Sequence, residues 1–275
     1  MRTNKVAASL NTVILVLFGA LTLFPIYLAV VNSFKTQSEI FANVLALPTS
    51  LNFDNYINAM QQVNFFSSMW NTLIVTTIGL LGIIICGSLA GYKLARTKSK
   101  LSSLFFLVFI ASMLIPFHSI MITLTQVANN IGVQGSPYGL GLIYIGLGVN
   151  MAIFLCHGFT KTIPKELEES AKIDGANEIQ IFMKIIFPML TPILVTIAIL
   201  NILWLWNDFL LPLLMLTNVN NYTLILAINM LFGEYNNDWP QILSALVITA
   251  LPLIIFYLVF QRFILHGIAE GAVKG

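Results

Sequence analysis

Glu169-Ser170-Ala171-Lys172-Ile173-Asp174-Gly175, followed downstream by Ile185 and Pro188, is a polar stretch set between two long apolar runs. Charged residues are only 9% of the chain, so a loop that gathers so many of them presents a surface to something in water. The segment reads as a short helix. Pro164 suits a first helical turn, where its missing N–H costs nothing, and Glu166, Glu168 and Glu169 place negative charge at the positive end of the helix dipole. Gly175 can take the left-handed conformation that ends a helix, and Asn177 can cap a second one, on which Ile179, Phe182, Ile185 and Ile186 share a face. The expected result is an elbow over 162–187. On its first helix Leu167, Ser170, Ala171 and Asp174 stand at i, i+3, i+4 and i+7, a narrow face of mostly small side chains fit to seat in a protein groove. Pro188 and Pro192 then bend or restart the chain.

Composition places the rest of the chain in a bilayer. Apolar residues are 58% of it and the mean hydropathy is +0.89, whereas soluble domains carry about 25% charged residues. A spanning helix needs roughly 20 apolar residues, and six nearly uncharged runs approach or exceed that: 13–31, 70–92, 104–127, 138–155, 189–207 and 242–260. The expected fold is an all-α membrane protein of six transmembrane helices, one domain over 1–275. A barrel would need ten-residue alternating segments, and none is visible.

Lysine and arginine set the orientation. With the amino terminus inside, Arg2, Lys5, Lys93, Arg96, Lys98, Lys100, Lys161, Lys165, Lys172, Lys184, Arg262 and Lys274 all fall inside, and of 13 basic residues only Lys35 falls outside. The positive-inside rule therefore makes both termini cytoplasmic. The net charge of +2 reports this topology and not nucleic-acid binding. The first apolar run lacks a convincing cleavage site and reads as a retained helix.

Of the three external segments, 32–69 is long, 129–137 is short and uncharged, and 217–241 is rich in asparagine with mixed aromatic content. Loops on a rigid scaffold are where recognition sits. Cys86 and Cys156, the only cysteines, read as packing residues and not a disulfide. His118, His157 and His266 lack the neighbours of a zinc or hydrolase motif, and there is no Gly-x-x-x-x-Gly-Lys-Ser/Thr phosphate loop, so neither an intramembrane enzyme nor an ATPase is indicated. No cofactor is expected. An ion-coupled secondary transporter would place carboxylates near the midplane. Asp208, the one ionised residue in a span, lies 17 residues from Thr191, or about 26 Å of helix, and so near the outer boundary. Asp208 and its neighbour Asn207 are read either as an interfacial anchor, with Trp204 and Trp206 as an aromatic belt, or as lining a solute pathway. Gly87 and Gly91 form a Gly-x-x-x-Gly pair, which suggests close helix packing.

The elbow resembles the cytoplasmic signature of permease subunits of bacterial ATP-binding-cassette importers, Glu-Ala-Ala, then Gly after three residues and Ile-x-Leu-Pro after nine more. Here Glu169, Ala171, Gly175, Ile185 and Pro188 stand at those spacings, with Ser170 and Phe187 as small departures. The tail Gln261-Arg262-Phe263, Gly267 and Gly271-Ala272-Val273-Lys274-Gly275 is similar to that of the smaller, six-helix permease of maltose-type carbohydrate importers. So are Asn52-Phe53-Asp54-Asn55-Tyr56, Asn71-Thr72 and Trp206-Asn207-Asp208-Phe209.

The resemblance implies the type I importer architecture and a bacterial cytoplasmic-membrane complex. Its other parts would be a second, different permease subunit, two cytoplasmic ATPase subunits and an extracytoplasmic sugar-binding protein. In that family ATP-driven closure of the ATPases passes through the elbow and switches the pathway between inward- and outward-facing. Glu166, Glu169, Ser170, Ala171, Asp174, Gly175 and Ala176 would dock an ATPase. The tail over 266–275, with Gly271, Ala272, Val273 and Lys274, would reach between the ATPases. Phe232, Gly233, Glu234 and Tyr235 would enter the binding protein. A phosphorylated polyol or another small solute stays open beside an oligosaccharide.

Overall fold

The protein is described from a computed structural model covering residues 5–233 and 237–272, with side chains at 11–233, 237–259 and 261. Regular structure among these residues is entirely helical. The order is α1 (Lys5–Ser33), α2 (Gln37–Ala42), α3 (Asp54–Gln62), α4 (Phe65–Arg96), α5 (Lys100–Ser112), α6 (Phe117–Asn130), α7 (Pro137–Thr160), α8 (Glu166–Ile173), α9 (Glu178–Ile181), a π-helical turn (Phe182–Ile186), α10 (Phe187–Met189), α11 (Thr191–Asn207), α12 (Leu210–Met215), α13 (Leu224–Ile228) and α14 (Trp239–Ala272).

Four of the six expected spans form as single helices, in α1, α4, α7 and α14. The other two are broken. The run read as one span over 104–127 is α5 and α6, bent by 104° across 113–116, with Pro116 in an extended conformation (φ −62°, ψ 135°) heading α6. Proline holds φ near −65° and biases the residue before it away from helix, so an unbroken apolar run conceals a corner. The fifth span, α11, is joined to α9 and α10 through a 71° bend at Leu190, with Pro192 in its first turn. The segment 217–241, read as an external loop, is largely built. Leu224, Leu226, Ala227, Ile228 and Leu231 are buried on short helices.

Two compact units make up the chain, Met1–Phe66 with Ala227–Ile254, and Ser67–Leu226 with Ile255–Gly275. In the first, the end of α1 is tied to the segment after it by a fully buried lysine. Lys35 Nζ donates to Asn32 Oδ1 (2.9 Å), the Asn43 carbonyl (3.0 Å) and the Val44 carbonyl (3.3 Å), all neutral oxygens. Asn55 Nδ2 donates to the Ser33 and Lys35 carbonyls, and Ser244 Oγ of α14 donates to the Ser33 carbonyl as well.

The second unit holds the main core, including Val75, Ile83, Leu140, Tyr144, Ala152, Cys156, Ile186, Ile197 and Leu205. Here α4 and α7 lie so close that each has glycine where the other brings a side chain. A β-carbon at Gly87 would collide with Ala152, and one at Gly91 would stand 2.7 Å from Cys156 Cβ and 3.0 Å from the His157 nitrogen. From the α7 side, one at Gly148 would stand 2.5 Å from Ile83 Cδ1. The Gly-x-x-x-Gly pair is thus a packing surface. The cysteine reading holds for Cys156, which is buried in this contact, while Cys86 is exposed. α7 also packs on α5 and α11, and His157 is buried with its ring stacked on Phe106. In each unit large apolar side chains are exposed, Leu15, Leu17 and Phe18 in the first and Leu104, Leu107 and Ile255 in the second, as a chain solvated by lipid requires.

Candidate functional site

The elbow follows α7 through Lys161–Lys165, and each of its turns has a local cause. α8 carries Glu166, Glu168 and Glu169 in its first turn and Lys172 in its last, which suits the dipole at both ends. It stops where Gly175 adopts φ +84°, and the Ala176 N–H reaches back to the Ala171 carbonyl at 2.9 Å. Asn177 then opens α9 with a reciprocal capping box. Its side chain accepts from the Gln180 N–H, and the Gln180 side chain accepts from the Asn177 N–H. Ahead of Pro188 the backbone loosens to π-helix, with the Phe187 N–H bonded to the Phe182 carbonyl five residues back. A proline ring clashes with the carbonyl four residues before it, and a wider turn relieves that clash.

One face of the elbow is fastened to the end of α4. Glu168 is buried among its exposed neighbours. Its Oε1 accepts from Arg96 Nε at 2.6 Å and its Oε2 from the Tyr92 hydroxyl at 2.8 Å, while Arg96 Nη2 donates to the Ile163 carbonyl at 2.9 Å. The Tyr92 and Phe182 rings pack at 5.5 Å between centroids. Beside this buried group lies an exposed ion pair, Lys93 to Glu178 at 3.0 Å.

The opposite face is open. Glu166, Glu169, Ser170, Asp174 and Gly175 are exposed, while Ala171 and Ala176 are half-buried against the core. The face expected from Leu167, Ser170, Ala171 and Asp174 is therefore outward at three of its four positions. On the second helix Ile181, Phe182 and Ile186 are buried and Ile185 partly so, but Ile179 is 74% exposed, because the inward face runs through Ile181, Phe182 and Ile186. Ile173, 86% exposed, adds a further apolar tip. Nothing local in the sequence singles out Glu168 from its two neighbours Glu166 and Glu169. The matching signal, Tyr92 and Arg96 one turn apart at the end of a span, lies over 70 residues away.

At the other end of the second unit, Asp208 follows α11 directly. Its Oδ2 accepts from the Tyr144 hydroxyl at 2.6 Å and its Oδ1 from the Leu210 N–H at 3.2 Å, so it both anchors α7 and starts α12. The Trp204 ring meets Tyr144 edge-on at 5.3 Å. Asn207 is exposed and donates to the Leu203 carbonyl. Nearby, Asn71 Nδ2 donates to the Asn220 and Tyr222 carbonyls, and Thr72 Oγ1 accepts from the Leu224 N–H, which fixes the built part of the third external segment on α4.

In the first unit, Phe232 and Gly233 are exposed, and the Gly233 N–H donates to Asn237 Oδ1. Gln37 on α2 secures the entry to α14. Its amide donates to the Asn237 carbonyl at 2.9 Å and accepts from the Trp239 N–H at 3.1 Å. Glu234 and Tyr235, as well as Val273 and Lys274 of the tail, lie outside the described residues. Gly271 and Ala272 close α14. Among the described residues no cluster of histidine, cysteine, aspartate and glutamate could hold a metal.

Known proteins share this arrangement. Residues 83–269, which include the elbow and both helices that flank it, match the family described as binding-protein-dependent transport system inner membrane component. The chain is 40% identical over 274 residues, and over the full length of both proteins, to the probable starch degradation products transport system permease protein AmyC of Thermoanaerobacterium thermosulfurigenes. It is 34% identical to the multiple sugar-binding transport system permease protein MsmG of Streptococcus mutans, with 95% of each chain covered. It is 33% identical to the melibiose/raffinose/stachyose import permease protein MelC of Bacillus subtilis, with 91% of each covered. In fold it is similar to a chain in the crystal structure of a bacterial ABC transporter involved in the import of the acidic polysaccharide alginate, with a TM-score of 0.84, 22% identity, and coverage of 95% of this chain and 98% of that one. The chain therefore belongs to the inner membrane components of binding-protein-dependent transport systems, the multi-pass permeases of ABC importers, which carry no catalytic site of their own and work with an ATPase and a substrate-binding protein.

Proposed function

We propose that the protein is one of two different permease subunits in an ATP-driven importer of oligosaccharides. The observation that carries this reading is end-to-end identity of 40% with a permease named for starch degradation products, supported by relatives named for multiple sugars and for melibiose, raffinose and stachyose. The elbow is the cytoplasmic dock for an ATPase subunit. In support, α8 presents Glu166, Glu169, Ser170, Asp174 and Gly175 outward beside the exposed apolar tips Ile173 and Ile179. Polar groups around isolated apolar anchors make a surface suited to a protein groove. Ala171 and Ala176 act as small spacers beneath it.

The same reading assigns Phe232-Gly233-Glu234-Tyr235 to the substrate-binding protein, Gly271-Ala272-Val273-Lys274 to the ATPase interface, and Asn207 and Asp208 to the margin of the pathway. The test is to purify the complex with its ATPases and binding protein in a bilayer and measure ATP turnover against a panel of solutes. Malto- and galacto-oligosaccharides are expected to raise turnover. Stimulation by a polyol phosphate or another non-sugar solute, with none by any oligosaccharide, overturns the substrate class.

A further inference from the structure

We propose that Glu168 is the positioning residue that makes the elbow and the α4–α7 pair a single mechanical body, so that a push on the elbow is delivered to the membrane helices through Arg96 and Tyr92. The proposal rests on the reading of the elbow as an ATPase dock and adds where the motion goes next.

Three observations carry it. First, Glu168 is the only one of the first-turn glutamates of α8 that faces inward, and both its carboxylate oxygens are taken by α4, from Arg96 Nε at 2.6 Å and the Tyr92 hydroxyl at 2.8 Å. Second, Arg96 is itself fixed at its other end by the Ile163 carbonyl, on the strap that leads from α7 into the elbow. One guanidinium thus joins α4, the strap and α8. The Arg96 and Glu168 side chains are 12% and 10% exposed, and charge-assisted bonds shielded from water are both short and strong. Separating them would strand a charge in a poorly solvated place, which makes this joint resist opening when the elbow moves. Third, α4 is held tightly against α7, because Gly87, Gly91 and Gly148 leave room only for Ala152, for Cys156 with the backbone beside it, and for the Ile83 side chain of the facing helix. Packed surfaces of this kind move as units. At the far end of the pair, Tyr144 holds Asp208 and Thr72 holds Leu224, so displacement entering at Glu168 leaves at the start of α12 and at α13.

Lys93 and Glu178 supply a built-in control. That pair also joins α4 to the elbow, but its side chains are 63% and 72% exposed, and such pairs contribute little.

The test uses the whole complex in nanodiscs with its ATPases and binding protein, in a permease lacking Cys86 and Cys156 and carrying Asn207→Cys. The labelling rate of that cysteine by a membrane-impermeant maleimide is compared with and without ATP plus vanadate. A wild-type permease whose labelling does not respond to trapped nucleotide would refute the importer reading itself. With that response present, E168Q is expected to retain co-purifying ATPases and basal ATP hydrolysis while the nucleotide-dependent change in labelling falls about tenfold or more, the value of one charge-assisted bond. Y92F, which removes a single neutral donor, is expected to lower the change by about two- to fivefold and stands in if E168Q does not assemble. K93A should match wild type. A full labelling response in both E168Q and Y92F, or an equal loss in K93A, overturns the proposal.

Discussion

Gly175 shows how much one position can decide. Its φ of +84° lies where a side chain is strained, yet nothing stands within 4 Å of where its β-carbon would be. The demand for glycine is therefore conformational and not steric, and two substitutions should separate. Gly175→Val is expected to cost about 1–2 kcal/mol at the turn, since a β-branched residue resists the left-handed region. Gly175→Asn, which tolerates that region, should cost much less. Measured as ATP-dependent uptake with co-purification of the ATPases, the valine variant should lose transport while staying in the membrane and the asparagine variant should keep most of it. Equal transport by the two would show that the left-handed turn does not matter to coupling. The cap was legible in the sequence because glycine at that point has one main use. Glu168 was not, because burial is decided by what lies opposite, and nothing local separates it from Glu166 and Glu169.

Elements illustrate the same divide. The close approach of α4 and α7 was hinted at by Gly87 and Gly91, but the sequence could not say which helix would fill the space. At Gly91 the obstructing atoms include backbone at 3.0 Å, which cannot rotate away. Gly91→Ala should destabilise the permease by about 1–3 kcal/mol through overpacking, whereas Gly19→Ala, with nothing within 4 Å, should be neutral. Unfolding in mixed detergent, followed by circular dichroism, compares the two, and equal midpoints would argue that the helices can part freely. In the first unit α2 depends on a carboxylate. The Thr36 N–H, the Thr49 hydroxyl and the Thr36 hydroxyl bond Glu39 and pull it down to about 2 from its ordinary 4.5. A depressed pKa stabilises the folded form above the unfolded value and is lost as pH falls through the folded one. Amide exchange in α2, corrected for intrinsic rate, should accordingly show E39Q less protected than wild type at pH 7, with the gap narrowing between about pH 4.5 and pH 2. A gap that persists unchanged at the acid end would assign the difference to something other than the charge. Gln37, on the same short helix, would then pass any fraying on to Asn237 and Trp239.

Over the whole molecule, hydropathy gave the number of apolar runs but not their paths. Apolar periodicity reports what must avoid water, and a corner such as that at Pro116 avoids water as well as a straight helix does; only the proline betrays it. The short buried helices after Asp208 escaped for a related reason, being apolar but too brief to read as spans. Charge, in contrast, is informative at long range, and the bias of lysine and arginine predicts opposite sides for the α4–α5 connection and the segment before α13. Single cysteines at the exposed positions Lys98 and Asn220, in a background without Cys86 and Cys156, should react with an impermeant maleimide from opposite faces of the membrane. Labelling from the same face would rule out the six-span path.

The π-helical turn Phe182–Ile186 also sets an angle. It holds one residue more than the α-helical path would, and each residue turns a helix by about 100°. The wider turn absorbs that residue, so the faces on either side of it keep the phase of an uninterrupted helix, and with them the direction in which Ile179 points. Removing one residue there would return the turn to the α-helical count and set the Pro188 ring against the carbonyl four residues before it. The direction of the elbow's exposed face is thus protected by the width of one turn, a feature to which hydropathy is blind.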